Sequence, residues 1–346
     1  MYNIGFLYEH PGSQFLEDEL ALVRETGLNV EGVNLKRFLN DIDLVKNLEF
    51  LYCAKDKKVM KDYLEITTLC KEFQIVVIYG TLKLTPRYIK DFFEERTVIF
   101  WATDDPVSTS FATLPYACVS DIILTQTPLL NEEESFTKYL SEILGKHVYY
   151  QPFGYLDGWR NGKSDKDILN SRKEIDVSFV GSPSWRKDML LDCKRYFGRR
   201  MKIYSKDWSF LRHLHYDFIK HGVLHRVPKA VNESEIYFKS LLSINSNAYG
   251  GPSTSRTFHL PICGAIQACD FRDGLALSFD VDKHLVAYKN LDSNDLISKL
   301  DKVLSSSKSE QTDMRDSAYF HVKNNYRFSQ LIEKRLKNLL NSKIVK

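Results

Sequence analysis

Short apolar runs rich in β-branched and aromatic residues alternate with amphipathic stretches along the whole chain. The alternation restarts once, after a polar interruption. Runs at Asn3–Tyr8, Asn29–Asn34, Ile75–Tyr79, Thr97–Trp101, Asp121–Thr125 and His147–Gln151 read as strands. Between them, QFLEDELALVRETG puts Leu16, Leu20 and Val23 on one helical face, with Ser13 as N-cap and Gly27 as stop. MKDYLEITTLCKEF and NEEESFTKYLSEILG repeat the helical pattern. Strands alternating with helices imply parallel sheets covered on both faces. From Asp157 to Ile175 the chain turns polar and charged, and then the pattern resumes with IDVSFVGS, KIYSKDW, SLLSINSN and GAIQA. The expected fold is α/β, with two Rossmann-like doubly wound domains facing across a cleft. Its expected parts are a first domain at 1–160, a linker at 161–175, a second domain at 176–320 and a closing helix within 321–346 that packs back toward the first. Ligands of open α/β sheets sit at the carboxyl ends of the strands, so those ends are where chemistry is expected.

A length of 346 residues suits two domains, because single cores stop growing at about 250–300 residues. With 43% hydrophobic and 27% charged residues, the composition excludes a disordered chain. The start, MYNIGFLYEH, carries no basic leader, and no apolar run is long enough to span a bilayer. The 6 cysteines are scattered without a C-x-x-C pair and read as reduced core residues, so a cytoplasmic location is expected. Charge is uneven. Between Arg186 and Lys229 there are 12 Lys/Arg against 4 Asp/Glu, together with His213, His215, His221 and His225. That stretch is either a solvated face with a phosphate site or a contact surface for nucleic acid.

Three strand ends carry candidate chemistry. In FVGSPSWRKDML, a buried strand runs into Gly181 and Ser182 before a helix opens near Pro183 to Trp185. Glycine lets the backbone approach a ligand, and a helix N-terminus presents free N–H groups. Arg186 and Lys187 would then occupy the first helical turn, where the dipole disfavours cations; such a conflict marks a functional position and suggests a diphosphate cradle. In NSNAYGGPSTSRTFHLPICGAI, the turn at Gly250 and Gly251 leads into Ser253, Thr254 and Ser255 as caps of a short helix bearing Arg256. Three hydroxyls and a guanidinium suit phosphate or sugar oxygens. In VIFWATDDPVS, Asp104 and Asp105 follow an apolar strand and precede Pro106, where paired carboxylates can orient an acceptor hydroxyl or act as a base. His10, after the first strand, occupies an equivalent place.

No metal is expected. Asp-x-Asp occurs at Asp41/Asp43, Asp165/Asp167 and Asp280/Asp282, a frequency that chance explains, and His221-x-x-x-His225 lacks cysteine or carboxylate partners. There is no G-x-S-x-G elbow, no Walker loop and no G-x-G-x-x-G.

Taken in order, the motifs of the second half resemble the spore-maturation CgeB-like family of glycosyltransferases, relatives of the large retaining GT-B group. They are FVGS followed by Arg186, IYSKDW, SINSNAYGGPSTSRTFHLPICGA, FDVDKHLVAYKNLDSNDLISKL and NNYRFSQLIEKRL. WATDDP and YYQPFGYL in the first half are similar to the family as well. The resemblance implies a GT-B enzyme, retaining and independent of metal or other cofactor, that moves a hexose or pentose from a nucleotide diphosphate sugar, with a UDP-sugar first among donors. It implies donor contacts at Gly181, Ser182, Arg186, Lys187, Gly250, Gly251, Ser253, Thr254, Ser255, Arg256 and His259, and acceptor-side catalysis by Asp104, Asp105 and His10. Where the family has a glutamate for the donor ribose, this chain has His259, and eight residues earlier, where related enzymes carry another carboxylate, it has Gly251. The acceptor stays open between a glycan, a protein and a small molecule. Two alternatives stand beside this reading: a phage-type transferase acting on hydroxymethylated bases of DNA through residues 186–229, and a non-catalytic module that binds nucleotide sugar or nucleic acid.

Overall fold

The computed structural model describes the chain except for residues 1, 10–12, 39–56, 81–83, 104, 107–108, 132, 183–185, 206–224, 227–232, 247–250, 252, 343 and 346. It divides into two compact units. The first comprises Met1–Pro152, Tyr249–Gly251 and Phe328–Lys346; the second comprises Phe153–Ala248 and Pro252–Arg327.

The first unit is built on a parallel sheet of β1 (Asn3–Tyr8), β2 (Asn29–Asn34), β3 (Ile75–Tyr79), β4 (Thr97–Ala102), β5 (Ile122–Thr125) and β6 (His147–Tyr150), in the order β2-β1-β3-β4-β5-β6. IVVIY and TVIFWA are continuous apolar runs because central parallel strands are covered on both faces. On one face, α2 (Lys57–Leu69) and α3 (Pro86–Phe93) supply Tyr63, Ile66, Tyr88 and Ile89 to a core with Leu7, Val76, Val98 and Phe100. Thr85 caps α3, its hydroxyl accepting the Tyr88 N–H at 3.1 Å ahead of Pro86 at the first helical position. Two shorter helices, α4 (Leu114–Cys118) and α5 (Phe136–Leu144), follow in this unit.

The other face of this sheet is closed by α1 (Ser13–Glu25) and by the last helix of the chain, Phe328–Asn341. Phe328 stacks on Trp101 with ring centroids 5.6 Å apart and meets Phe6 and Tyr79 edge-on. The Ser329 N–H donates to the buried Glu19 carboxylate at 3.1 Å, and Arg335 donates to Gln151 and to the Tyr150 carbonyl. Having completed the second unit, the chain therefore ends in the first.

The second unit holds β7 (Ile175–Val180), β8 (Met201–Ser205), β9 (His225–Arg226), β10 (Ser240–Asn245), β11 (Ile266–Asp270) and β12 (Val286–Tyr288), all parallel, in the order β12-β11-β10-β7-β8-β9. Counted from β7, this is the dinucleotide-fold order, which reverses direction between β7 and β10. One face is packed by α7 (Lys187–Phe197) and α10 (Ser293–Ser305), through Met189, Leu190, Leu296 and Leu300. The other carries Tyr237, Phe258, Tyr319 and Val322 from α8 (Glu233–Lys239), α9 (Ser255–Ile262) and α11 (Lys308–Asn325).

The polar segment expected as a linker at 161–175 is folded into the second unit. Ser164 and Asp167 form a reciprocal capping box on α6 (Asp165–Leu169), and Ile168 is fully buried. The Asp165 carboxylate gathers Arg160, the Tyr319 hydroxyl and Lys323, which holds it below the usual carboxylate range through the Lys323 hydrogen bond first. The unit boundary accordingly falls at Pro152/Phe153. Polar composition there reflects an ion-paired surface rather than a free tether.

Candidate functional site

The reversal between β7 and β10 places the two candidate loops of the second unit beside each other. β7 ends at Gly181, whose φ of +143° is a conformation that side chains rarely adopt, and its N–H donates to the Tyr204 carbonyl at 2.9 Å. The Arg256 guanidinium, on the first turn of α9, lies 3.7 Å from where a Cβ on Gly181 would stand. Arg186 is the residue before α7, not within its first turn, and is 6% exposed. Its guanidinium lies over the Phe179 ring, 5.6 Å from the centroid. Arg186 thus stands at the N-cap and Lys187 keeps the first helical position, while the Phe179 ring beneath Arg186 lies 3.5 Å from the same Gly181 Cβ position that Arg256 approaches.

Buried polar atoms collect at the same edge. Asn245 Oδ1 and Ser246 Oγ at the end of β10, Ser253 Oγ ahead of α9 and Tyr288 Oη at the end of β12 are buried without a hydrogen-bond partner among the described residues. Native interiors satisfy nearly all such atoms, so several of them at one sheet edge mark a place built for a polar ligand. Ser182 and Ser255 are exposed, whereas Lys187 and Thr254 are partly buried. Thr254 is the N-cap of α9, and its N–H donates to Thr257 Oγ1 at 3.0 Å.

His259 sits deeper. Its ring stacks on Trp159 at 4.4 Å and meets Tyr237 edge-on at 5.1 Å, while Nε2 lies 2.8 Å from Ser234 Oγ. Burial pushes its pKa down to about 3; Glu233 pulls the other way and Arg256 adds to the fall. The imidazole is thus neutral at physiological pH, stacked on Trp159 and perpendicular to the Tyr237 ring. The unfolded histidine titrates at 6.5, so the stability from burying it neutral is complete above that value and is lost as pH falls toward about 3. Acidification to about pH 5 should cost the wild type about 2 kcal/mol by linkage. Urea midpoints at the two pH values should fall less for His259→Phe, and an equal fall would mean another group is responsible.

In the first unit, Asp105 is fully buried, and both carboxylate oxygens are engaged by threonines. Oδ1 accepts from Thr109 Oγ1 at 2.9 Å and from Thr113 Oγ1, and Oδ2 accepts from Thr125 Oγ1 at 2.9 Å. Burial raises its pKa, and the three threonine bonds pull it back down. The Asp105 carbonyl accepts from Thr127 Oγ1 at 3.1 Å and faces Gly251, on which a Cβ would stand 2.7 Å from that oxygen. Gly251 is therefore required by a close backbone approach. This arrangement makes Asp105 a polar knot of the fold, in contrast to the acceptor-side base expected from Asp-Asp-Pro. Asp104, His10 and Gly250 lie outside the described residues.

The basic stretch 186–229 is only partly described. Within it, Lys194 is buried and donates to the Met201 carbonyl at 2.6 Å, Arg195 pairs with Asp192, and Arg200 pairs with Asp176. These three cations thus serve the fold. Among the described residues no group of three or more His, Cys, Asp or Glu is arranged to hold a metal, and no helix is long and apolar enough to cross a membrane. The sequence reading missed Glu233 and Tyr237, which lie outside its motifs, and Tyr288, which lies within FDVDKHLVAYKNLDSNDLISKL but was not singled out; only the 233/237 spacing, one helical turn, hints that two of them share a face.

The family model described as glycosyl transferase-like matches residues 174–337. No curated protein matches the chain in sequence. Among solved structures, sucrose-phosphate synthase from Thermosynechococcus elongatus is similar with a TM-score of 0.67 at 10% identity, over 99% of both chains. HepE from Anabaena, solved in complex with UDP and glucose, gives 0.65 at 10% identity over 99% of this chain and 100% of its own. A glycosyltransferase from Rickettsia africae gives 0.65 at 11% identity over 97% of each. The chain thus has the two-sheet α/β fold of these GT-B proteins over nearly its whole length, and from 174 to 337 it is similar to the glycosyl transferase-like family.

Proposed function

We propose that this chain is a glycosyltransferase that takes a hexose or pentose from a nucleoside diphosphate carrier, with UDP-sugars the first donors to try. The placement of Arg256 at the Gly181 turn, with Arg186 over the adjoining Phe179 ring, carries the reading. Two guanidinium forks near one glycine turn match the oxygens of a leaving diphosphate and supply the charge that a metal ion supplies in other transferases. Lys187, Ser182 and the backbone from Ser253 to Ser255 extend this cradle, and the buried hydroxyls of Ser246, Ser253 and Tyr288 add donors beside it. HepE, bound to UDP and glucose, supports the choice of donor. Within the family, the ordered motifs favour a CgeB-like member acting with retention of configuration. Asp104 and His10 are the proposed acceptor-side groups. The described cysteines are all free, which favours a reducing, cytoplasmic setting.

The test is release of nucleoside diphosphate from a panel of nucleotide sugars, with the anomer of the product read by NMR. Including glycans, proteins and hydroxymethylated duplex DNA in parallel assigns the acceptor class. Release from one or more donors is expected; binding without release under every condition would favour the non-catalytic module.

A further inference from the structure

α8 and α9 of the second unit face each other through five side chains that no motif reading singled out as a group. Glu233, Ser234 and Tyr237 lie on one face of α8, and Arg256 and His259 lie one turn apart on α9. Ser234 Oγ is 2.8 Å from His259 Nε2, and the Tyr237 ring stands perpendicular to the imidazole at 5.1 Å. The Tyr237 hydroxyl, on a fully buried side chain, donates to Glu233 Oε2 at 3.5 Å. The Arg256 guanidinium lies beside that same hydroxyl and in the field of the Glu233 carboxylate. Beyond this clasp, the guanidinium reaches the Gly181 turn at 3.7 Å.

We propose that Glu233 is a positioning residue: acting with the Tyr237 hydroxyl, it fixes the Arg256 guanidinium against the Gly181 turn so that its outer N–H groups meet the diphosphate. An arginine side chain has rotamer freedom to lose on binding, and a fork anchored on its inner side has lost most of it before the ligand arrives. The clasp explains the residue at 259 as well. A carboxylate there would stand against Glu233, whereas a neutral imidazole accepts or donates to Ser234 and fills the slot between Trp159 and Tyr237.

This inference rests on the reading of the second sheet's edge as the diphosphate site, so the experiment separates the two. The full chain is titrated calorimetrically with UDP and with uridine, which lacks the phosphates. Glu233→Gln should weaken UDP about tenfold, the scale of one charge-assisted contact, and leave uridine unchanged. Tyr237→Phe, which removes only the hydroxyl, should weaken UDP in the same sense and carries the test alone if Glu233→Gln fails to fold. A folded Glu233→Gln that binds UDP like the wild type overturns the inference. So does an equal loss for UDP and uridine, which would make Glu233 a nucleoside contact. Wild type that binds no nucleoside diphosphate overturns the donor reading and the inference with it.

Discussion

Arg256→Ala is expected to lower kcat/KM for the nucleotide sugar by at least about 100-fold, or roughly 2.7 kcal/mol of transition-state stabilisation. As the sugar leaves, charge builds on the diphosphate, and a guanidinium already fixed at the Gly181 turn stabilises that charge without reorganising. In the proposed reaction the loss should fall on KM and kcat together, because Arg256 is placed to meet the diphosphate both when it binds and as its charge builds. Arg256→Lys keeps the charge but not the planar fork, and the ammonium cannot both donate to Tyr237 and present two parallel N–H groups to the ligand. An intermediate loss of about tenfold is expected for it. Turnover of Arg256→Ala within about threefold of wild type, in a protein with an unchanged circular dichroism spectrum, would remove Arg256 from the leaving-group role.

The fold was legible because parallel strands buried on both faces must be continuous apolar runs, and nothing else in a sequence of this composition looks the same. Asn3–Tyr8 and Ile75–Tyr79 are read from the residues with the bounds they have in the structure, and so is the edge strand Asn29–Asn34, which alternates instead of running apolar. The glycine turn at 181 and the serines before Arg256 were legible for a local reason: each motif is a strand end followed by a helix start. What the sequence hides is which distant side chains fill the space between motifs. Arg186 looked strained in a first turn because Phe179, the ring beneath it, gives no sign of its direction. His259 reads as a ribose contact from the family resemblance alone, and the sequence gives no sign that Trp159, 100 residues earlier in the chain, and Ser234 from α8 also hold its ring. Residues 161–175 looked like a tether because a capping box and one buried isoleucine are a small part of a polar segment. In each case a local property was read correctly and then overridden by a partner from elsewhere in the chain.

Asp105 is the sharpest instance, and its removal should have the largest effect on stability. Asp105→Ala is expected to destabilise the protein by about 3 kcal/mol, because Thr109, Thr113 and Thr125 each lose an acceptor inside a buried site while a small cavity opens. Thr109 and Thr113 stand 4 and 8 residues after Asp105. The knot therefore ties the end of β4 to the helical turn that follows, and Thr125 ties both to the end of β5. Asp105→Asn keeps one acceptor oxygen and should cost about 1 kcal/mol. Thermal or urea unfolding measures both values. Activity separates the structural role from a chemical one: a general base replaced by asparagine loses about 100-fold or more in kcat. If Asp105 acts only through the fold, Asp105→Asn should turn over donor nearly as fast as wild type well below its melting temperature. A 100-fold drop in kcat with stability preserved would return Asp105 to the acceptor side of the reaction. The proton would then go to Oδ2, which accepts from Thr125 alone and keeps a lone pair, whereas Oδ1 is filled by Thr109 and Thr113.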